Sequence, residues 1–185
     1  MKTTNPDRVG DWIQVYSGGI FYPLDPRPEE INLIDIAHSL SMKCRYAGHT
    51  KEFYSVAEHS VLISQVVSKR NALWGLLHDA PEAFSSDCPK PLKRCLPQWK
   101  AMERRIMDAV CVKFGLDLSE PEEVREADNR ILADERALLM NPCLFDWGIS
   151  EPLGVHIFAH CPKVAEFYFM QRFREIILEM GVNPK

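Results

Sequence analysis

Apolar and polar positions along the chain change character after Pro28: a short β-type segment gives way to a run of helical patterns. Trp12-Ile-Gln-Val-Tyr16, then Ser17-Gly18-Gly19, then Ile20-Phe-Tyr22 reads as a small hairpin, because two alternating apolar runs flank a turn-forming triplet. Pro23-Leu-Asp-Pro-Arg-Pro28 is a proline-rich connection. A first helix is predicted from about Asn32 to Tyr46, with Ile36, Ala37, Leu40 and Cys44 at helical spacing and Gly48 to end it. A second runs from about Val56 to Arg70. Ser55-Val-Ala-Glu58 reads as its capping box, with Ser55 as N-cap and Glu58 reaching back. A third begins near Asn71, carries Ala72, Leu73, Leu76, Leu77 and Ala80, and should kink or end near Pro81, which removes a backbone donor. Ser85 to Leu96 reads as loop, with Pro89, Pro91 and Pro97 nearby. Further helices are predicted over Gln98 to Phe114, stopped by Gly115, over Glu122 to Met140, and over Lys163 to Met180, before Gly181. Asn141 to Cys161 reads as irregular. The pattern predicts an all-α helical bundle with a small N-terminal β hairpin, a single domain over residues 1–185.

Composition narrows the function classes. The net charge is −4, so no broad basic surface for duplex nucleic acid is expected. Six cysteines occur without a CxxC pair, and neither a signal core nor an apolar run of membrane-spanning length is present. These features predict free thiols, many of them core residues, in a cytoplasmic protein that does not engage membranes. A zinc–thiolate site lacks its usual spacing.

Candidate chemistry concentrates in Leu76-Leu-His-Asp-Ala-Pro-Glu82, an ionisable pair directly after an apolar helix. Glu82 lies four residues after His78 and three after Asp79, so helical spacing lets all three face one pocket. The plain alternative is a capped, solvent-facing helix end. His59 shares a helix face with Ile63 and Val66, the expected core side, where a lone histidine is more often a satisfied core residue than a ligand. Asp128 lies between Val124, Ala127 and Ile131 on another apolar stripe, with a macrodipole-favoured acid as its plain alternative. Two imidazoles and two carboxylates from three helices suit a divalent ion with open positions, and mixed nitrogen–oxygen ligation admits Zn, Mn, Co, Fe or Ni.

The order His59…His78-Asp79…Asp128 resembles the HD-domain phosphohydrolases. The blocks Asp35-Ile-Ala-His38, Cys44-Arg-Tyr-Ala-Gly-His49, Phe53-Tyr-Ser-Val-Ala-Glu-His59, Leu76 to Glu82 and Asp87-Cys-Pro-Lys-Pro-Leu-Lys93 resemble its 5′-deoxynucleotidase branch. They look closest to short bacterial and phage members, including phage dATP triphosphohydrolases. The resemblance covers roughly Trp12 to Glu135. It implies an HD-type helical bundle and His59, His78, Asp79 and Asp128 as ligands of a divalent metal, Mg among the candidates. Glu82 would be the general acid/base or orient the attacking water. Asp87 would align that water or join Glu82 at a second metal. Arg45 would bind phosphate with its planar fork of donors, with Lys93 and His49 as further phosphate contacts. Tyr46 stands where the bacterial monophosphatases carry a Trp against the deoxyribose. The implied substrate is a deoxynucleotide, dATP first and deoxynucleoside monophosphates as the alternative. The implied setting is the cytoplasm, that of the host for a viral protein, with a homo-oligomer expected.

Rival readings are a (p)ppGpp hydrolase of the same type, in which a second acid follows the Glu where this chain has Ala83, and a regulatory module without catalysis, against which the intact ligand set speaks. A purely structural metal site would be closed and thiolate-rich, and this one is neither. His38 is expected to pack near the site, and His156 and His160 to be surface residues. The stripe Phe167, Tyr168, Phe169, Phe173 is expected to be core or a dimer seam, and Trp12, Ile13 and Phe21 to pack in the core, with lining of the base pocket as the alternative.

Overall fold

The computed structural model describes residues 7–149 and 151–181. It is mostly helical, with one small two-stranded antiparallel sheet. Strands β1 (Ile13–Gln14) and β2 (Ile20–Phe21) pair with Ile13 opposite Phe21. Gly18 turns the hairpin at φ +89°, a conformation open to glycine at little cost. Phe21 is fully buried and stacks on Phe84 at 4.0 Å. Trp12 and Ile13, expected in the core, are exposed, whereas Phe21, paired opposite Ile13, is the hairpin residue that packs into it.

Helix α1 (Leu33–Met42) ends four residues short of the predicted Tyr46. The cause is strand-like pairing of the next segment. Cys44 bridges Ser55, Arg45 donates its N–H to the Tyr54 carbonyl at 2.9 Å, and Val56 donates to Lys43 at 3.1 Å. A 3₁₀ turn over Arg45–Gly48 follows, with Tyr46 and Ala47 at φ +56° and +51°. Such values cost a side-chain-bearing residue about 1–2 kcal/mol each, so the surroundings must hold the turn.

Helix α2 (Val56–Val66) starts as predicted, with the Ser55 hydroxyl accepting the Glu58 N–H at 3.1 Å. Glu58 does not reach back to close the capping box. Its carboxylate accepts N–H groups from Phe158, Ala159 and His160 at 2.8, 3.1 and 2.7 Å, which anchors the irregular 151–161 stretch to α2. The helix stops at Val66 rather than Arg70, since the Ser68 N–H and hydroxyl are taken by Glu123 at 2.7 and 2.6 Å. Val66 itself is exposed, not core-facing.

Helix α3 (Ala72–Leu77) is wholly buried and packs on α2. Gly75 permits the approach: a Cβ there would lie 3.2 Å from Val67 Cγ2 and 3.3 Å from both Ile63 Cγ2 and the Ser64 Cα. A 3₁₀ turn over Ala80–Ala83 carries Pro81 and Glu82. The stretch predicted as loop holds one short helix, α4 (Lys90–Lys93). Helix α5 (Pro97–Phe114) ends at Gly115 in the left-handed region, with Leu116 donating to Cys111 at 2.9 Å. Helices α6 (Glu122–Leu139) and α7 (Pro162–Glu179) match their predicted spans closely, and residues 141–149 and 151–161 are irregular as expected.

The core draws Ile36 and Leu40 of α1, Ile63 of α2, Leu76 and Leu77 of α3, Ile106 of α5, Ile131 of α6 and Phe169 of α7 into one cluster. Of the aromatic stripe, Phe169 is buried and Phe173 packs against the core, while Phe167 and Tyr168 are exposed because they occupy the outer face of α7. All six cysteines are free, but only Cys111 is fully buried; Cys44 and Cys88 are partly exposed and Cys95, Cys143 and Cys161 are exposed. No helix among the described residues is long and apolar enough to cross a membrane.

Glu123 joins α6 to the α2–α3 connection through Ser68 and Asn71, and their donation holds its carboxyl below the usual 4.5. A lowered folded value stabilises the fold above the unfolded pKa and is lost as pH falls through the folded value. Glu123→Gln should therefore cost about 1 kcal/mol at pH 7. Thermal melts of parent and variant should differ at pH 7 and converge as the pH falls below the carboxyl's lowered folded value; a difference that persists undiminished in acid would refute the assignment.

Candidate metal centre

Three helices deliver the polar groups to one point. His59 comes from the first turn of α2, His78 and Asp79 from the end of α3, and Asp128 from the second turn of α6. His59 is fully buried, as its place beside Ile63 requires. Its Nε2 lies 3.2 Å from His78 Nε2, 3.2 Å from Asp128 Oδ1 and 3.8 Å from Asp79 Oδ2. His78 Nε2 lies 3.3 Å from the same Asp79 oxygen and 4.0 Å from Asp128 Oδ1. Donors that share an ion at about 2.1 Å stand roughly 3.0–3.4 Å apart when adjacent; the 3.2 and 3.3 Å spacings are compatible with one small cation, and the 3.8 and 4.0 Å pairs stand wider.

The outer nitrogens fix which ring atoms face inward. His78 Nδ1 lies 2.8 Å from the Gly75 carbonyl, which can only accept, so Nδ1 carries the proton. His59 Nδ1 lies 2.7 Å from Glu135 Oε1. Burial opposes charge on Glu135, but Arg45 and His59 outweigh it and hold the carboxyl at about 2, so it is ionised and accepts from His59. Both Nε2 lone pairs are thereby turned toward each other at 3.2 Å, an arrangement that only a shared cation relieves, whether a metal ion or a proton. His59, His78 and Asp128 form a group compatible with a divalent metal, and Asp79 stands at its edge. Without metal, burial works against a charged His78, yet the Asp79 and Asp128 carboxylates prevail and raise it to about 9. Asp79 and Asp128 are driven below the usual carboxylate range, burial being outweighed by the two histidines.

Glu82 is buried beside this cluster, one carboxylate oxygen without a hydrogen-bond partner and the other 3.6 Å from Lys93 Nζ. Burial and the neighbouring Asp79 and Asp87 push its carboxyl well above the usual value. Asp87 is half-buried and also raised, by burial and Asp79 against Arg45. Lys93 is held by Glu103 at 2.9 Å. A cavity of about 250 Å³ opens here, lined by His78, Asp79, Glu82 and Lys93.

Arg45 is buried, with Nη1 3.6 Å from Asp79 and Nη2 3.2 Å from Glu135. The Tyr46 hydroxyl bonds to the same Glu135 carboxylate. His49 ends the 3₁₀ turn exposed, and among the described residues no side-chain hydrogen bond ties it to the cluster. His38 lies further off, stacked on Tyr16 at 3.6 Å and 3.1 Å from Glu166. His156 is exposed and His160 partly so.

Sequence reasoning missed Glu135, although it follows Asp128 by two turns on the stripe Val124, Ala127, Ile131, where an acid among apolar residues was the available signal. It also missed Lys90, 3.5 Å from Asp128 although it lies within the block Asp87 to Lys93, and Lys43, which is within electrostatic reach of Glu82 and Asp87 and lies outside every motif block.

No protein-family model matches the chain. It is 39% identical over 169 residues to the uncharacterized protein YfdR of Escherichia coli (strain K12), an alignment that spans 89% of this chain and 95% of that protein. It is 35% identical over 126 residues to the uncharacterized protein RCAP_rcc00048 of Rhodobacter capsulatus, covering 63% of this chain and 64% of that protein.

The geometry predicts that protein purified without chelator carries about one divalent ion per chain, measurable by elemental analysis. Asp79→Ala should lose it, and Glu135→Gln should weaken metal affinity by roughly 10–100-fold with circular dichroism unchanged. Parental protein that stays metal-free in the presence of Mn²⁺, Co²⁺ and Zn²⁺ would refute the site.

Proposed function

The chain belongs to the family of YfdR, and from the geometry of its site and the motif resemblance described above we propose that it is a metal-dependent phosphohydrolase of deoxynucleotides, built on the HD-domain plan. One observation carries the reading: two imidazole Nε2 atoms and two carboxylates converge on one point, with the buried, partner-poor Glu82 beside them. A structural metal site would have no use for that adjacent acid.

His59, His78, Asp79 and Asp128 would hold the ion. A divalent cation there supplies Lewis-acid activation of water and polarisation of a phosphoryl oxygen. Glu82 suits the proton transfer, because burial and like charge raise its affinity for a proton. Water attacks the phosphorus next to the 5′-oxygen. As the new O–P bond forms, Glu82 takes the water's proton and returns it to the departing 5′-oxygen as the P–O5′ bond breaks. Asp87 aligns the water, or joins Glu82 around a second cation. Arg45 presents a planar fork to the phosphate, and Lys93 adds a point charge once substrate competes with Glu103 for it.

The resemblance to short phage triphosphohydrolases supports dATP as the first substrate, with deoxyadenosine and triphosphate as products. A panel of dATP, dAMP, ATP and the other deoxynucleotides at equal concentration, with phosphate, pyrophosphate and triphosphate resolved, tests this. Turnover restricted to monophosphates would make the protein a 5′-deoxynucleotidase with the same site. Ribonucleotides cleaved as fast as deoxynucleotides would remove the sugar preference, and no turnover with any metal would remove the reading.

Glu82→Ala should keep metal and fold and lose at least ~10²-fold in turnover. Parental rates in that variant would refute its role.

Arg45→Lys should also impair turnover, since one ammonium cannot replace a bidentate fork. Unchanged kinetic constants would count against a direct phosphate contact.

A further inference from the structure

Residues 141–149 carry no regular element, yet α6 holds this stretch against the site. Two adjacent residues of α6, about 100° apart around the helix, have different surroundings. Glu135 points inward, has no exposure, and takes the Tyr46 hydroxyl. Arg136 points outward and donates to the Asp146 carboxylate and the Phe145 carbonyl, both at 3.0 Å. Its guanidinium lies 5.4 Å from the centre of the Trp147 ring. The indole is thus pressed toward Tyr46, ring centres 5.7 Å apart and tilted by 44°. Tyr46 in turn lies under the Arg45 guanidinium at 5.5 Å.

These contacts form a series leading away from the metal-compatible cluster. Arg45 stands 3.6 Å from Asp79; Tyr46 follows it; Trp147 follows Tyr46. The Trp147 side chain remains 37% exposed, so ring surface is left for a ligand. Both rings are fixed before any ligand arrives, Tyr46 by its hydroxyl and Trp147 by Arg136, so little side-chain freedom is lost on binding.

We infer that Trp147 is the nucleobase-stacking residue of this site, with phosphate at Arg45, the sugar at Tyr46 and the planar base against the indole. The inference rests on the nucleotide reading above and extends it to a residue from a segment in which no motif is visible. Every base has a π-face, so an indole provides affinity for purines and pyrimidines alike and leaves the choice of base to other contacts. The residue acts by binding, so its loss should appear in affinity rather than in metal content.

The test uses full-length, Mn²⁺-loaded Glu82→Gln protein, in which ligands persist, and measures dissociation constants by calorimetry. Probes are dATP, dTTP and inorganic tripolyphosphate, which has neither sugar nor base. Adding Trp147→Ala should weaken dATP and dTTP about tenfold and leave tripolyphosphate and metal content unchanged. Trp147→Phe, which keeps an aromatic face, should restore most of the affinity. Unchanged nucleotide affinity in Trp147→Ala overturns the inference alone, as does an equal loss for nucleotides and tripolyphosphate. A Glu82→Gln parent that binds tripolyphosphate but no nucleotide overturns the nucleotide reading together with it.

Discussion

Glu135 is a carboxylate with no exposure at all, and such a charge is stable inside a protein only when several donors share it. Arg45 and Tyr46 do so from the turn after α1, and His59 from α2. One buried group thereby sets three things. It fixes the His59 ring with its Nε2 inward. It holds the left-handed turn at Tyr46 and Ala47, which sterics alone would not keep. It fastens α6, the helix that carries Asp128, to α2. An apolar residue at this position would fill the space and leave Arg45 buried without its strongest counter-charge.

Gly75 plays a comparable part between α2 and α3. The absence of a side chain lets the helices close to a distance that a methyl group would crowd against Val67, Ile63 and the Ser64 backbone. Its carbonyl accepts the His78 Nδ1 proton. The same residue thus sets how near the two histidines come and which nitrogen His78 turns inward. The 3.2 Å between the Nε2 atoms is a consequence of helix packing, not of local sequence.

The cluster also sorts its acids. Asp79, Asp128 and Glu135 face histidines or Arg45 and are kept ionised despite burial. Glu82 and Asp87 lie a little further from those cations and closer to other carboxylates, and burial raises both. Groups of one chemical type are thus pushed in opposite directions by their environments.

Much of this was legible in the chain itself. Helical periodicity delimits α5, α6 and α7 to within a few residues, and Ser55 marks the start of α2, because these features depend on contacts three or four residues apart. His59, His78, Asp79 and Asp128 could be singled out as polar groups on or beside apolar faces, and the structure brings all four together. The ends of α1 and α2 could not be read, since backbone donors at Arg45 and Ser68 are claimed by Tyr54 and by Glu123, residues close in space whose claim no local pattern announces. Nor could the second use of Glu58, which resembles one half of a capping box and instead gathers three N–H groups about a hundred residues away. Glu135 and Trp147 belong with these. What the sequence determined was which residues lie on one helix face. Which faces meet, and which charges are thereby desolvated and forced into partnership, was decided only when the helices packed, because a buried charge takes its partner from whatever tertiary structure brings within a few ångströms.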